Sequence, residues 1–455
     1  MTAHGRQFSV AMVVLLAILA PALNTFITAT ILPSVVADIG GLALYAWATV
    51  AYSVASIVGS AASSAVVRRL GLRAGLVLAS VVFAAGSIAC GAAPAMIVIV
   101  AGRAVQGLGG GMTIAVVHSM IRALFPPSLW PRTLATVSVA WGVAAVTGPF
   151  AGGVLAQLGL WRAAFWAMPP VVGITCVIAW RLMPPRRAPV RGERLPFGRL
   201  MLICAAVLCL ASVANARGAV VRAVLVAAMA AAITSALVLD ARAPARLFPS
   251  GMLSLSRPIG KCFWIIFLLA MAGSTSSVFM PLLVQIIHGI PPAAAGYFYA
   301  GQSLSWTCAA VVTARIGASR VRAAVVLGPL VMAAGLGGLF LMIARGPVVA
   351  IAASIALIGL GLGTCWAHVG NVVLGAARAD EEEVTAALIP STQLLAVAFG
   401  SALCGIVADV AGLTREATPA VAAATGDTLY GGAAIAALAA GMVATRLVPV
   451  VRPAA

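Results

Sequence analysis

Charge is scarce in this chain, and acidic charge most of all. Of 455 residues, 8% are Asp, Glu, Lys or Arg, only 10 of them are acidic, and 63% of the chain is hydrophobic. No soluble domain is built on that ratio, because too little polar surface remains to cover an outside. The composition is that of an all-α polytopic membrane protein. Apolar–polar alternation is also missing. The apolar runs are continuous over roughly twenty residues, where barrel strands alternate over about ten. The 8 cysteines contain no Cys-x-x-Cys pair, so neither a metal site nor a cofactor is expected, and the thiols read as small buried hydrophobes. No buried His/Asp/Cys cluster offers converging catalytic groups, which argues against an enzyme. The longest loop, about 184–198, is too short for the output domain of a sensor.

What the chain has is a series of long apolar runs. Those able to cross about 30 Å at 1.5 Å per residue fall at 8–36, 45–67, 73–93, 95–121, 133–158, 163–183, 199–215, 222–239, 262–287, 292–316, 323–344, 347–375, 384–409 and 427–448. The first is too long for a signal-peptide core and reads as an uncleaved span. The net charge of +18 comes from arginines in short loops. With the N-terminus inside, twenty-two basic residues fall in cytoplasmic segments, five outside, and Arg103 inside a span, for the total of 28. That asymmetry follows the positive-inside rule and makes nucleic acid an unsuitable partner. It also ties the weak seventh and eighth runs together: both cross or neither does, giving fourteen spans or twelve. The protein is expected in the inner (plasma) membrane, multi-pass, with both termini cytoplasmic.

The chain repeats itself. Arg68-Arg69-Leu-Gly71-Leu-Arg73 follows the second run, and Arg315-Ile-Gly317-Ala-Ser-Arg320 follows the tenth. Both fall on the inner side, between the second and third helices of a six-helix block. The expected domains are an N-terminal six-helix bundle over 1–183, a linker with two additional transmembrane helices and cytoplasmic loops over 184–261, and a C-terminal six-helix bundle over 262–455. Parallel halves of this kind place a substrate site near the midplane.

One charge breaks the apolar pattern. Arg103 lies inside the run from Pro94 to Val117, followed by Gln106, Gly107, Gly109, Gly110 and Gly111. An arginine at bilayer depth costs at least about 2.5 kcal/mol, so it is kept where it faces protein or a water-filled cavity.

Several segments together resemble the major facilitator superfamily, within it the fourteen-helix drug:proton antiporter branch. Gly102-Arg103 through Gly111 is similar to that family's fourth-helix motif, and Trp141-Gly142 through Gly148-Pro149-Phe-Ala-Gly152-Gly153 to its fifth-helix antiporter motif. Leu23-Asn24-Thr25, Leu32-Pro33, Ala37-Asp38-Ile-Gly40 and Trp161-Arg162 resemble its first-helix signature and the start of its sixth helix. The resemblance implies a secondary transporter exporting small organic compounds by alternating access, in exchange for protons. Uptake or facilitated transport without proton exchange is the alternative. The lipid bilayer and a small-molecule substrate are the expected partners, and the protein is expected to be a monomer.

The motifs also have physical readings. Gly142, Gly148, Gly152 and Gly153 remove side chains where a helix can approach closely, and Pro149 deletes one backbone hydrogen bond. Arg69, Gly71 and Arg73 belong to the inner-loop motif. Two departures stand out: the loop position where the family carries Asp is Arg68, and the first-helix position where it often carries Asp is Asn24. All ten acids are placed in loops or within about a turn of a helix end, Asp38 and Asp409 as solvated helix-end groups, with gate residues as the alternative for both. A proton-coupling group is therefore not evident; His118 and His368 are the substitutes. The cavity-lining candidates are Asn24, Arg103, Gln106, Trp141, Gln302, Trp306, Trp366, His368, Asn371 and Gln393. A fixed positive charge without a buried carboxylate favours neutral or anionic amphipathic substrates over cations.

Overall fold

The computed structural model describes residues 3–126, 129–183, 197–243, 247–378 and 381–447. Among them every regular element is helical: α1 (Ala3–Ile39), a 3-10 turn (Leu42–Leu44), α2 (Tyr45–Gly91), α3 (Met96–Leu124), α4 (Trp130–Gln157), α5 (Trp161–Trp166), α6 (Met168–Leu182), α7 (Phe197–Asn215), α8 (Ala219–Ala241), α9 (Pro258–Val278), α10 (Met280–His288), α11 (Pro292–Thr313), α12 (Ala318–Met342), α13 (Val348–Ala376), α14 (Glu382–Val410) and α15 (Pro419–Thr445).

Twelve stretches among the described residues are long and apolar enough to cross a membrane. One of them, Leu42–Gly91, runs for 50 residues, over twice what a single crossing needs. It breaks at Gly71 (φ 81, ψ 170), a backbone shape that only glycine adopts at no steric cost. The contacts with α3 show that the two legs run in opposite directions. On the first leg, Tyr52 meets Gly107 and Ser56 meets Gly111; on the second, Phe83 meets Gly109 and Cys90 meets Gly102. Numbers rise together on the first leg and oppositely on the second, so α2 crosses twice. The 22-residue α11 is less apolar than the twelve stretches through its Tyr, Gln, Ser and Gly content. At 1.5 Å per residue it still spans about 33 Å. With these two, the crossings among the described residues number fourteen.

The chain forms two compact units: Met1–Leu195 with Pro291–Tyr297, and Pro196–Ile290 with Phe298–Ala455. Helices α7 and α8 belong to the second, where α7 packs on α14. Most of α8 is exposed apolar surface, as suits a helix that faces lipid.

Small residues set the packing of both units. In unit 1 a Cβ on Gly107 would strike the Tyr52 carbonyl, one on Gly111 the Ser56 carbonyl, one on Gly109 Phe83, and one on Gly86 the α3 backbone at Gly102 and Gln106. Without a hydrophobic drive between helices in lipid, this close backbone approach is what brings transmembrane helices together. Unit 2 repeats the pattern in register. Gly359 meets the Gln302 carbonyl, Gly363 the Trp306 carbonyl, Gly361 Met332, and Gly335 the α13 backbone at Ser354 and Ile358. Helix α13 is thus the counterpart of α3, α11 of the first leg of α2, and α12 of the second.

The inner-loop arginines obey the same repeat. Arg73 donates to the carbonyls of Trp180 (3.3 Å) and Met183 (3.4 Å) and stacks 4.2 Å over the Trp180 ring. Arg322 donates to the Thr445 carbonyl (3.4 Å), beside Lys261, which takes the Arg446 carbonyl at 2.6 Å. Each half therefore caps the C-terminus of its last helix with a cation, where orphan carbonyls and the helix dipole favour one. The glycine register pairs Arg73 with Arg322, not with the Arg320 that the sequence repeat had aligned with it, because the second loop differs in length.

Candidate substrate site

Arg103 and Gln106 sit on the stretch of α3 that glycines press between the two legs of α2. Arg103 is 4% exposed and Gln106 fully buried. The guanidinium donates through Nη1 to Gln106 Oε1 (3.0 Å) and through Nε to the Ala48 carbonyl (3.3 Å), and it lies 4.1 Å over the Tyr52 ring. Among the described residues no carboxylate pairs with it. The surroundings still offset the cost of the buried charge. A hydrogen bond from a charged group is worth about 1.5–3 kcal/mol and a desolvated cation–π contact about 2 kcal/mol. Those gains are comparable to the lower figures for an arginine at bilayer depth.

Gln106 carries the network onward. Its Nε2 donates to Ser87 Oγ (2.8 Å) and to Asn24 Oδ1 (3.2 Å), and Thr28 donates to the same Asn24 oxygen at 3.4 Å. Asn24, Gln106 and Arg103 are therefore one connected cluster contributed by α1 and α3. Its hydrogen-bonding capacity is lopsided. The oxygens of Gln106, Asn24 and Ser87 all accept bonds, whereas the buried Asn24 Nδ2 has no partner. A buried donor left unmade costs about 1–3 kcal/mol. The cluster is thus short of acceptors, and a ligand group that supplies one fits it.

The other unit 1 residues frame this cluster. A Cβ on Gly148 would meet Phe26, one on Gly152 Ile27, and one on Gly153 Ala293, so three of the four motif glycines close α4 onto its neighbours. Gly142 has nothing within 4 Å of a Cβ; its expected packing role is not met, because that turn of α4 faces open space. Pro149 is buried within α4, and Trp141, 36% exposed, stands edge-on to Phe26 at 6.3 Å. Arg69 is exposed.

In unit 2, Gln302 is 5% exposed and its Oε1 has no partner. Trp306 and Trp366 pack at 5.4 Å with a 56° tilt. His368 sets Nε2 3.2 Å from the Thr313 carbonyl, which makes it a partner for the end of α11. Asn371 is exposed and Gln393 half-buried; neither joins the tryptophans in a hydrogen-bonded set. His118 is exposed, with Nδ1 2.8 Å from the Ile114 carbonyl on its own helix.

Three of the helix-end acids turn out to be paired, and one acid, Asp427, departs from the expected placement. Asp38 is an exposed helix-end acid, as expected, but it is paired: it accepts from Arg162 (2.7 Å) and Trp161 (3.0 Å), while Arg162 also reaches the Ala93 carbonyl at 3.2 Å. Two motifs read separately in the sequence are thereby fastened together. Asp409 pairs with Arg222 (3.3 Å) and accepts from Thr414 (3.0 Å), tying α8 to α14. Asp240 is buried, bonded to Arg199 and to the backbone N–H groups of Leu247 (2.6 Å) and Phe248 (3.1 Å). Asp427 lies eight residues inside α15, which starts at Pro419, about 12 Å along the axis. Of the run 380–383, residue 380 lies outside the described residues, and Glu381 accepts from Ser250 N (3.0 Å) and Oγ (2.6 Å).

Sequence reasoning left Ser87 and the Ala48 carbonyl out of the site and did not bring Tyr52 to Arg103. Tyr52 and Ser87 carried a usable signal, being polar side chains inside apolar runs. The Ala48 carbonyl carried none.

A family model, Major Facilitator Superfamily, matches residues 14–401. The chain belongs to that superfamily. A probable multidrug-efflux transporter of Mycobacterium tuberculosis is 34% identical over 403 residues, 86% of this chain and 85% of its own. Multidrug resistance protein 3 of Bacillus subtilis is 24% identical over 305 residues, 65% of this chain and 59% of its own. Among solved structures, a POT peptide transporter superposes with TM-score 0.69 at 16% identity, covering 96% of this chain and 94% of that one. The human organic anion transporter TETRAN gives TM-score 0.62 at 17% identity, covering 96% and 99%. At those identities the solved structures show the fold. Members of this superfamily are membrane transporters of small molecules, not enzymes, and the two-unit helical architecture described above is theirs.

Proposed function

We propose that this major facilitator protein exports small organic compounds across the inner membrane by alternating access, in exchange for protons and as a monomer. The observation that carries export is the 34% identity to a probable multidrug-efflux transporter over 86% of the chain. The basic loops support an orientation with both termini in the cytoplasm. The candidates in each unit remain part of this reading, and within unit 1 the α1–α3 cluster is its main polar site. Arg103 holds a fixed charge, Gln106 orients it, and Asn24 offers an unspent N–H pair to a substrate acceptor. Carboxylate, carbonyl or sulfonyl oxygens suit that set, and permanent cations do not. For proton exchange, Asp427 is the acid set deep in a helix, two turns from its start, while Arg103 has no carboxylate beside it.

The test is flux in proteoliposomes. Purified protein should move an acceptor-bearing amphipathic dye faster than protein-free vesicles do, and an imposed pH gradient should drive accumulation. Transport indifferent to the gradient would favour a facilitator; no transport of any acceptor-bearing compound would refute the reading.

A further inference from the structure

The glycine register lets the two halves be compared position by position at the level of Arg103. Ser87, Cys90, Arg103 and Gln106 of unit 1 correspond to Leu336, Leu339, Ile355 and Ile358 of unit 2. Those four are 0–1% exposed. The polar site of unit 1 is, in unit 2, a filled apolar core. Against that core the counterpart of Tyr52 is Gln302. A tyrosine there has a cation to cover; the glutamine's Oε1 has no hydrogen-bond partner.

Gln302 is the exception in this core. It lies ten residues from the start of the 22-residue α11, about 15 Å from that end and so near mid-membrane. It is 5% exposed with Oε1 unpartnered. One turn further along the same helix is Trp306, packed against Trp366, which lies ten residues from the end of α13. Both rings are half-buried. Tryptophans that anchor a protein in the interface sit at helix ends, whereas Trp366 lies about 15 Å from the nearer end of α13.

We propose that the Gln302 amide and the Trp306–Trp366 pair form a binding subsite in unit 2 for an uncharged aromatic group bearing a hydroxyl or N–H. The amide oxygen accepts the ligand's hydrogen, and the tilted indoles supply an aromatic wall. The proposal rests on the transport reading for its purpose but not for its test. It explains why an amide is retained where leucine would pack: a site built to hydrogen-bond a ligand is left unsatisfied without it. It differs from the α1–α3 cluster in polarity, since that cluster lacks acceptors whereas this subsite presents one.

The experiment measures binding of 2-naphthol and of 2-methoxynaphthalene to the full chain in lipid nanodiscs, with empty nanodiscs subtracted. It compares wild type with Gln302→Leu and Trp306→Ala, and records the thermal midpoint of each. Wild type should prefer naphthol by about five- to ten-fold, the range of one hydrogen bond. Gln302→Leu should erase that preference and raise the thermal midpoint, because an unmet amide is replaced by apolar volume. Trp306→Ala should weaken both ligands alike. A preference that survives Gln302→Leu, no preference in wild type, binding of neither probe, or a lower midpoint in Gln302→Leu would overturn the proposal. Since no transport is measured, failure of export leaves this result standing.

Discussion

Asn24→Asp puts an acid into the cluster at the position where the resembling antiporters carry one. The distance to Arg103 follows from the network. Asn24 Oδ1 is 3.2 Å from Gln106 Nε2, and Gln106 Oε1 is 3.0 Å from Arg103 Nη1; with the amide's own width of about 2.2 Å, the new charge lies at most about 8.5 Å from the guanidinium. At an effective dielectric constant of 20, opposite charges at that separation attract by about 2 kcal/mol. The same energy is withdrawn from an anionic substrate drawn to Arg103, and a cation gains a partner it lacked. One pair interaction of that size is a factor of about 30 in relative affinity. The substitution also removes the orphaned Asn24 N–H pair, so an acceptor-bearing ligand loses a donor as well. The assay is competition in proteoliposomes: export of a fluorescent anion is measured against increasing ethidium, for wild type and variant. The selectivity ratio should move toward the cation by ten-fold or more. A ratio unchanged within two-fold, in protein that still folds and transports, would refute the assignment of this cluster as the charge-reading part of the site.

Other consequences concern the scaffold. Asp240→Ala removes a buried carboxylate that accepts from half-buried Arg199 and from two backbone N–H groups. Breaking a buried pair costs about 3–5 kcal/mol, so the thermal midpoint in detergent should fall sharply; an unchanged midpoint would mean the α7–α8 pair is not fastened through Asp240. The glycines separate by packing. Gly111→Val drives a side chain into the Ser56 backbone and should abolish folded yield, whereas Gly142→Ala has open space and should leave yield and transport near wild type; the converse result, read by size-exclusion profiles, would contradict the α2–α3 packing.

Much of this architecture is legible because the bilayer leaves few choices. Apolar length, loop arginines and glycine spacing each report a requirement of the membrane, and they recover the spans, the repeat and the close α2–α3 packing. Arg103 and Gln106 share a helix at i, i+3, and that spacing alone makes them neighbours. Asn24 is less obvious, but helix rise places it at a similar depth. What stays hidden depends on partners brought by other helices. The cover of Tyr52 over Arg103, the Ala48 carbonyl and the Arg162–Asp38 pair join segments 51 to 124 residues apart, and no local pattern encodes them. The depth of Asp427 is a different case. Thr418 caps α15 with its hydroxyl accepting from Val421 N (3.4 Å), and Pro419 takes the first turn. That Thr-Pro signal was readable, but the apolar run begins later and hides the first two turns. The asymmetry between halves was also out of reach, since only the packed register shows that Ile355 and Ile358 stand where Arg103 and Gln106 do.

The most direct measurement of the central claim is export of an acceptor-bearing anion by proteoliposomes containing Arg103→Gln, alongside Arg103→Lys and wild type. Gln keeps a donor and removes the charge; Lys keeps the charge and loses the planar fork that reaches Gln106 and Ala48 together. The account predicts that Gln loses anion transport by at least ten-fold while remaining folded, with Lys intermediate. Wild-type transport in Arg103→Gln would contradict it.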